Sequence, residues 1–317
     1  MTEPTTPRYA LQLTCGPRWD FFVGDKMKAI KPFLSYEDQI DYLMELGLHI
    51  DDRNYAIEVL SSINYYRLIN AYGLGLYRDK EKTEFKEGTT FYQIYSLYKF
   101  DETLRHIMSE LLESFEIMFR TKLAYYLGEH YGALGYLDPI NFENQEHHAE
   151  NMAALEREME TQSKSPIVKH HEEDYEGVLP IWAAVEILSF GTISKLYNNM
   201  ILPDKNAIAK QLSTSTPYLE SWLRSFVEVR NICAHYGRLY NKPLLFPPKL
   251  HTEVKSLRQD RIFSVLYTLK RFAPDIQWIS LMLRLKNAIS TYIHVRLSFI
   301  GFPKNWEDLL DVPIKSE

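Results

Sequence analysis

Between residues 91 and 128, apolar side chains recur at helical spacing for longer than anywhere else in the chain: Tyr95, Tyr98, Leu104, Leu111, Phe115, Met118, Leu123 and Leu127. That period predicts one or two long amphipathic helices whose apolar face other helices must cover. Shorter segments supply the cover. Ser35, with Asp38 three residues on and Ile40, Leu43 and Leu46 following, reads as a capped helix over 35–48. Further helices are expected over 52–63, from Pro180 through Trp182, Val185, Leu188 and Phe190 to a stop or bend at Gly191, over 216–236 with Gly237 as cap, and over 253–272 and 275–297. Residues 146–163 read as a polar helix or an excursion. Residues 78–88 and 132–141 and the prolines at 243, 247 and 248 read as breaks. No convincing strand alternation and no internal repeat occur. The expected class is therefore all-α. The expected organisation is an arm over 1–30, a helical region over 31–88, a helical domain over 89–272 with an insertion near 140–178, and a helical extension over 273–317.

The chain has 317 residues, 45% of them hydrophobic, enough for a sizeable core. Its two cysteines, Cys15 and Cys233, form no disulfide framework and fit a reducing compartment. The N-terminus lacks an apolar signal segment and no 18-residue apolar run occurs, so the expectation is a cytoplasmic protein without a membrane span. A formal net charge of −6 does not mark the whole chain as a nucleic-acid binder. The charge is unevenly placed, however. Residues 221–304 hold 14 Lys and Arg against 4 Asp and Glu, leaving 22 against 38 for the rest. An anionic partner for the C-terminal part explains this, and so does a solvated face or attraction within the chain.

The helix expected at 216–236 carries the chemistry. Arg224, Glu228, Asn231, His235 and Arg238 are spaced 4, 3, 4 and 3 residues apart, which forms one polar stripe on a helix. Asn231 and His235 can touch, and Arg230 lies about 100° to the side of Asn231. A solvated face with an Arg224–Glu228 pair, or a polar seam between helices, would look the same. The functional alternative is phosphodiester chemistry on RNA. The 2′-hydroxyl is the nucleophile, a histidine titrating near neutrality moves the proton, and an arginine fork holds the phosphate. The pattern R-x4-H alone is weak, whereas the string R-N-x-x-A-H-Y-x-R-x-Y-N from Arg230 to Asn241 is far more specific.

That string resembles the R-x4-6-H signature of HEPN domains (higher eukaryotes and prokaryotes nucleotide-binding), and its surroundings resemble the Abi-like, AbiD/AbiF-type abortive-infection family of phage-resistance proteins. Asn64-Tyr65-Tyr66-Arg67-Leu68 is similar to the family's N-Y-Y-R-L box, and residues 97–105 to its L-Y-x-F-D-x-x-L-R segment. Glu116 and Arg120 match its E-x3-R pattern, and Lys169-His170-His171, Leu179-Pro180-Ile181-Trp182, Glu186 and Ser189-Phe190-Gly191 its central blocks. The likeness covers roughly 35–300, in order. One departure is Ile69-Asn70-Ala71-Tyr72, where the family usually shows a Gly-Tyr pair. The resemblance implies a HEPN-type helical bundle with added N- and C-terminal helices, acting as a metal-independent endoribonuclease in defence. It implies Arg230, Asn231 and His235 as the catalytic set. The chain holds one such motif, so a composite centre of two implies a homodimer. Such proteins are also associated with small structured RNAs that guide or restrain them. The alternative is a non-catalytic RNA-binding module of a defence or toxin–antitoxin ribonucleoprotein.

Around this set, Arg224, Arg238, Tyr240, Lys242, Tyr66 and Arg67 are candidate RNA contacts, combining cations with aromatic rings. Helix packing explains Tyr66 and Arg67 equally well. Glu116, Arg120 and Glu228 are candidate supports, Glu116 and Arg120 reading first as an ordinary helix ion pair. No cofactor and no metal are expected: His170 and His171, like His147 and His148, are adjacent and cannot easily share one ion. Trp182 and Phe190 read as core. No P-loop, nucleophile elbow or paired C-x-x-C occurs.

Overall fold

The computed structural model describes residues 32–254 and 257–311, so the arm expected over 1–30 lies outside the described residues. The helical elements are α1 (Tyr36–Glu45), α2 (Arg53–Ser62), a π-helical segment (Tyr66–Asn70), α3 (Phe91–Tyr131), α4 (Gln145–Thr161), α5 (Pro166–Asp174), α6 (Ile181–Ile187), α7 (Phe190–Asn198), α8 (Leu202–Gln211), α9 (Thr216–Ala234), α10 (Ile262–Leu269), α11 (Asp275–Thr291) and α12 (Trp306–Leu310), with short 3-10 turns between some of them. Among the described residues there is no strand, only isolated bridges such as His49 with Thr90. The fold is all-α.

The long apolar period becomes one helix, α3, of 41 residues. Thr90 caps its start, accepting the Gln93 amide, and Gly132 at φ 76° ends it. Phe100, Leu104, Ile107, Leu111, Phe115, Phe119 and Leu123 are buried along it. Helices α6, α9 and α11 pack on this central rod. Phe115 meets Phe226 of α9 edge to face at 4.8 Å and Phe272 at 4.9 Å. Residues 145–174 hold α4 and α5; α4 packs on α6 and α7 and buries Leu155, Asn151 and His148, the last against Tyr136 and Phe142.

Two helix boundaries and the burial of one residue differ from the sequence expectation. The helix begun at Pro180 stops at Ile187 because Leu188 turns extended, and Ser189 then caps α7 through the Thr192 amide. Gly191 therefore sits in the first turn of α7. The helix expected over 253–272 is confined to Ile262–Leu269, preceded by a 3-10 turn. Trp182, expected in the core, is exposed, while Phe190 is buried.

Candidate functional site at the C-terminal end of α9

Helix α9 runs beside α3, and its last turn holds the motif. Arg230 is half-buried, and its Nε stands 3.5 Å from Oε2 of Glu116 on α3. Glu116 also accepts from both the Nε and a terminal nitrogen of Arg120. Arg120 in turn donates to the carbonyls of Val185 and Leu188, 2.6 Å for the latter, at the place where α6 ends. The pair Glu116–Arg120 is therefore more than a helix ion pair. It fastens Arg230 on one side and the unravelled end of α6 on the other. A buried carboxylate with two guanidiniums is well compensated, and it limits where Arg230 can swing.

Asn231 and His235 are exposed. The Asn231 side-chain oxygen accepts weakly from Arg230, at 3.5 Å, so its observed contact is to the arginine and not to the imidazole. The His235 backbone amide closes the helix on the Asn231 carbonyl at 3.0 Å. No described side chain engages the His235 ring, which leaves both nitrogens open to a ligand. The only other polar side chain in this turn, the Cys233 thiol, is buried, and burial pushes its pKa up to about 12. It is a thiol near neutrality and no nucleophile.

Helix α9 ends at Ala234, and His235 is its cap residue. The two closing bonds run from Tyr236 N–H to the Cys233 carbonyl and from Gly237 N–H to the Ile232 carbonyl, at 3.0 and 2.7 Å. The left-handed residue is Tyr236, at φ 56°, not Gly237 as expected from sequence. Gly237 is needed for a different reason, since a Cβ there would stand 3.1 Å from the Ile232 carbonyl oxygen.

Because the helix stops, the stripe that the spacing predicted breaks up. Arg238 lies beyond the helix and donates to the Ala71 carbonyl, and burial lowers its pKa. Glu228 accepts the amides of Leu245 and Phe246, both at 2.8 Å, and Arg224 lies over the Phe246 ring at 4.5 Å. Glu228 and Arg224 therefore tie down the loop after the motif, and the Arg224–Glu228 pair of the solvated-face reading does not form. Tyr240, expected to touch RNA, is 3% exposed. Its hydroxyl accepts the Arg296 amide and its ring packs on Phe100 and Phe299, so it is part of the core. Lys242 is half-buried.

The N-Y-Y-R-L box reaches the same place from a distance of about 170 residues in sequence. It forms a π-helical turn, an element that often marks a functional position. Arg67 donates to the Tyr236 carbonyl at 2.5 Å and lies 6.0 Å from the Tyr236 ring centre. Tyr66 beside it is 69% exposed.

Sequence reasoning did not single out the group that holds the motif's exit. Asp101 of α3 is fully buried and accepts four donors. These are the Tyr72 hydroxyl at 2.6 Å, Arg105 at 2.8 Å, and the Leu239 and Tyr240 amides at 3.0 and 2.7 Å. Burial pushes the carboxyl above the usual range, and these donors oppose it. Arg105 reaches on to the Gly237 carbonyl at 3.4 Å. The available signal was an Asp and an Arg four apart inside an otherwise apolar helical face.

A family model for Abi-like proteins matches residues 58–241, a span that begins in α2 and ends just past the loop gripped by Asp101. The chain belongs to the Abi-like protein family. Membership implies abortive-infection defence against phage. No curated protein and no solved structure matches the chain. The contacts of Arg230, Arg67 and Asp101 lie inside the matched span, whereas the partners of Glu228, Arg224 and Tyr240 at 245–246 and 296–299 lie beyond it. Among the described residues, no helix of this family member is long and apolar enough to cross a membrane, and no three His, Cys, Asp or Glu side chains are grouped to hold a metal ion.

Proposed function

We propose that this Abi-like protein is a HEPN-type endoribonuclease whose reaction centre is the end of α9. One observation carries the reading: a fixed cation and an unengaged imidazole share the last turn of one helix. Arg230 is held by Glu116, and His235 stands open at the helix cap.

In the reaction we infer, the RNA 2′-oxygen attacks the adjacent phosphorus while a base takes its proton. The bond from phosphorus to the 5′-oxygen breaks, and an acid returns a proton to that oxygen. His235 serves as base or acid, and Arg230 neutralises charge building on the phosphoryl oxygens. Asn231 steadies Arg230. One chain offers one such histidine and the reaction uses two proton transfers, so a homodimer that apposes two α9 ends would complete the centre. A small structured RNA that guides or restrains the enzyme belongs to the same reading, and the basic balance of residues 221–304 favours such a partner.

The chemistry makes its own test. Products should carry 2′,3′-cyclic phosphate and 5′-hydroxyl ends, cleavage should persist in EDTA, and a single 2′-deoxy substitution at the cleaved nucleotide should block it. Cleavage 3′ to a 2′-deoxynucleotide would exclude attack by the RNA's own hydroxyl.

A further inference from the structure

Tyr236 occupies a position that folding alone would give to another residue. It is the left-handed residue that closes α9, at φ 56°, where glycine meets no Cβ penalty. Its ring is 70% exposed and joins no buried cluster. The described contact of the ring is the Arg67 guanidinium at 6.0 Å. An exposed aromatic side chain on a left-handed backbone gains little apolar burial to offset its strain. Non-glycine residues persist in such conformations where surrounding structure enforces them, and these cases cluster at functional sites.

Surrounding structure does enforce it here. Both helix-closing bonds flank Tyr236. Arg67 grips its carbonyl from the π-helical turn, and Arg105 reaches the carbonyl of the next residue. The ring is therefore carried on a fixed backbone, one residue from His235, with a cation beside it. Tyr66, the residue before Arg67, is a second exposed ring on the same π-helical turn. A π-face on a fixed backbone with a guanidinium beside it, one residue from an open imidazole, has the chemistry of a nucleobase platform beside a phosphate site. Within a continuous duplex both faces of a base are covered by its neighbours, so an internal position offers its face to such a platform when the base is unpaired.

We propose that Tyr236 stacks on the unpaired base adjoining the phosphate at Arg230 and His235, so that the site takes looped or single-stranded RNA and not continuous duplex. This rests on the RNA-directed reading of that site.

The test uses the full chain, Tyr236→Gly and Tyr236→Phe, with a labelled RNA hairpin bearing an unpaired loop and with a blunt duplex of the same stem. Binding and cleavage are both recorded, together with thermal unfolding. Tyr236→Gly should unfold at the same or a higher temperature, because glycine suits the backbone. It should nonetheless bind the loop about 5-fold to 10²-fold more weakly, the usual effect of removing one stacked ring. Tyr236→Phe should bind as wild type does, and weak duplex binding should be unchanged by either substitution. Loop binding and cleavage unaffected in Tyr236→Gly would overturn the stacking role and leave the nuclease reading standing. A Tyr236→Gly protein that unfolds at a markedly lower temperature, or fails to fold, would also overturn it by showing a structural need for the ring. Loop binding that depends on Tyr236 without any cleavage would uphold stacking and defeat the nuclease. No RNA binding by the wild type would defeat both.

Discussion

At the residue scale, Glu116 holds an unusual position, since among the described residues it is the one anion set against the arginine of the motif. Its carboxylate fixes Arg230 but also competes with a phosphate for the same guanidinium. The two effects separate in a Glu116→Gln protein. Loss of the fixed geometry should lower the rate of RNA cleavage by about 10-fold to 10²-fold, the scale of a small misplacement of a catalytic group. RNA affinity should hold or rise, because the neutral amide frees the cation. A general structural defect would lower both together, and so would contradict this positioning role. Unchanged cleavage would contradict it as well. How far sequence reveals such roles depends on where the partner lies. That Arg230, Asn231 and His235 lie together was legible because they share the end of one helix. The partners of Glu228, Arg224 and Tyr240, at 245–246 and 296–299, were not legible, because they are brought in by tertiary packing that spacing does not encode.

At the element scale, local rules carried well. Ser35 forms the expected capping box with Asp38, Asp52 caps α2, and one unbroken apolar period became one 41-residue helix. They failed where a long-range contact decides the boundary. Helix α6 could run on through Leu188 by propensity, but the carbonyls of Val185 and Leu188 are taken by Arg120 and the chain restarts at Ser189. Helix α9 could run on past His235, but the turn at Tyr236 is pinned by Arg67 and the exit loop by Asp101. That pinning yields a stability prediction. Asp101→Asn turns a buried acceptor of four donors into a group with donors of its own. It should cost about 3 kcal/mol, the lower end for breaking a buried charged network. An exposed change such as His235→Ala should cost under about 0.5 kcal/mol. Denaturant titration of the two proteins checks the contrast, and equal midpoints would mean that Asp101 does not secure the exit of α9.

At the scale of the whole molecule, the fold is a frame around α3. The helix carries Asp101, Arg105, Glu116 and Arg120 in sequence order along one rod, and these meet the exit loop, the motif arginine and the end of α6 in turn. A site assembled this way is rigid on the side of Arg230 and open at His235, which suits a centre completed by a second copy of the chain. The measurement that tests the central claim most directly is RNA cleavage by folded His235→Ala protein, alone and mixed with wild type under subunit exchange. The mutant alone should lose about 10²-fold to 10⁴-fold in rate, the scale of removing an acid–base group. In mixtures the loss should be steeper than the fraction of mutant chains. Undiminished cleavage by the folded mutant would contradict a reaction centre at His235.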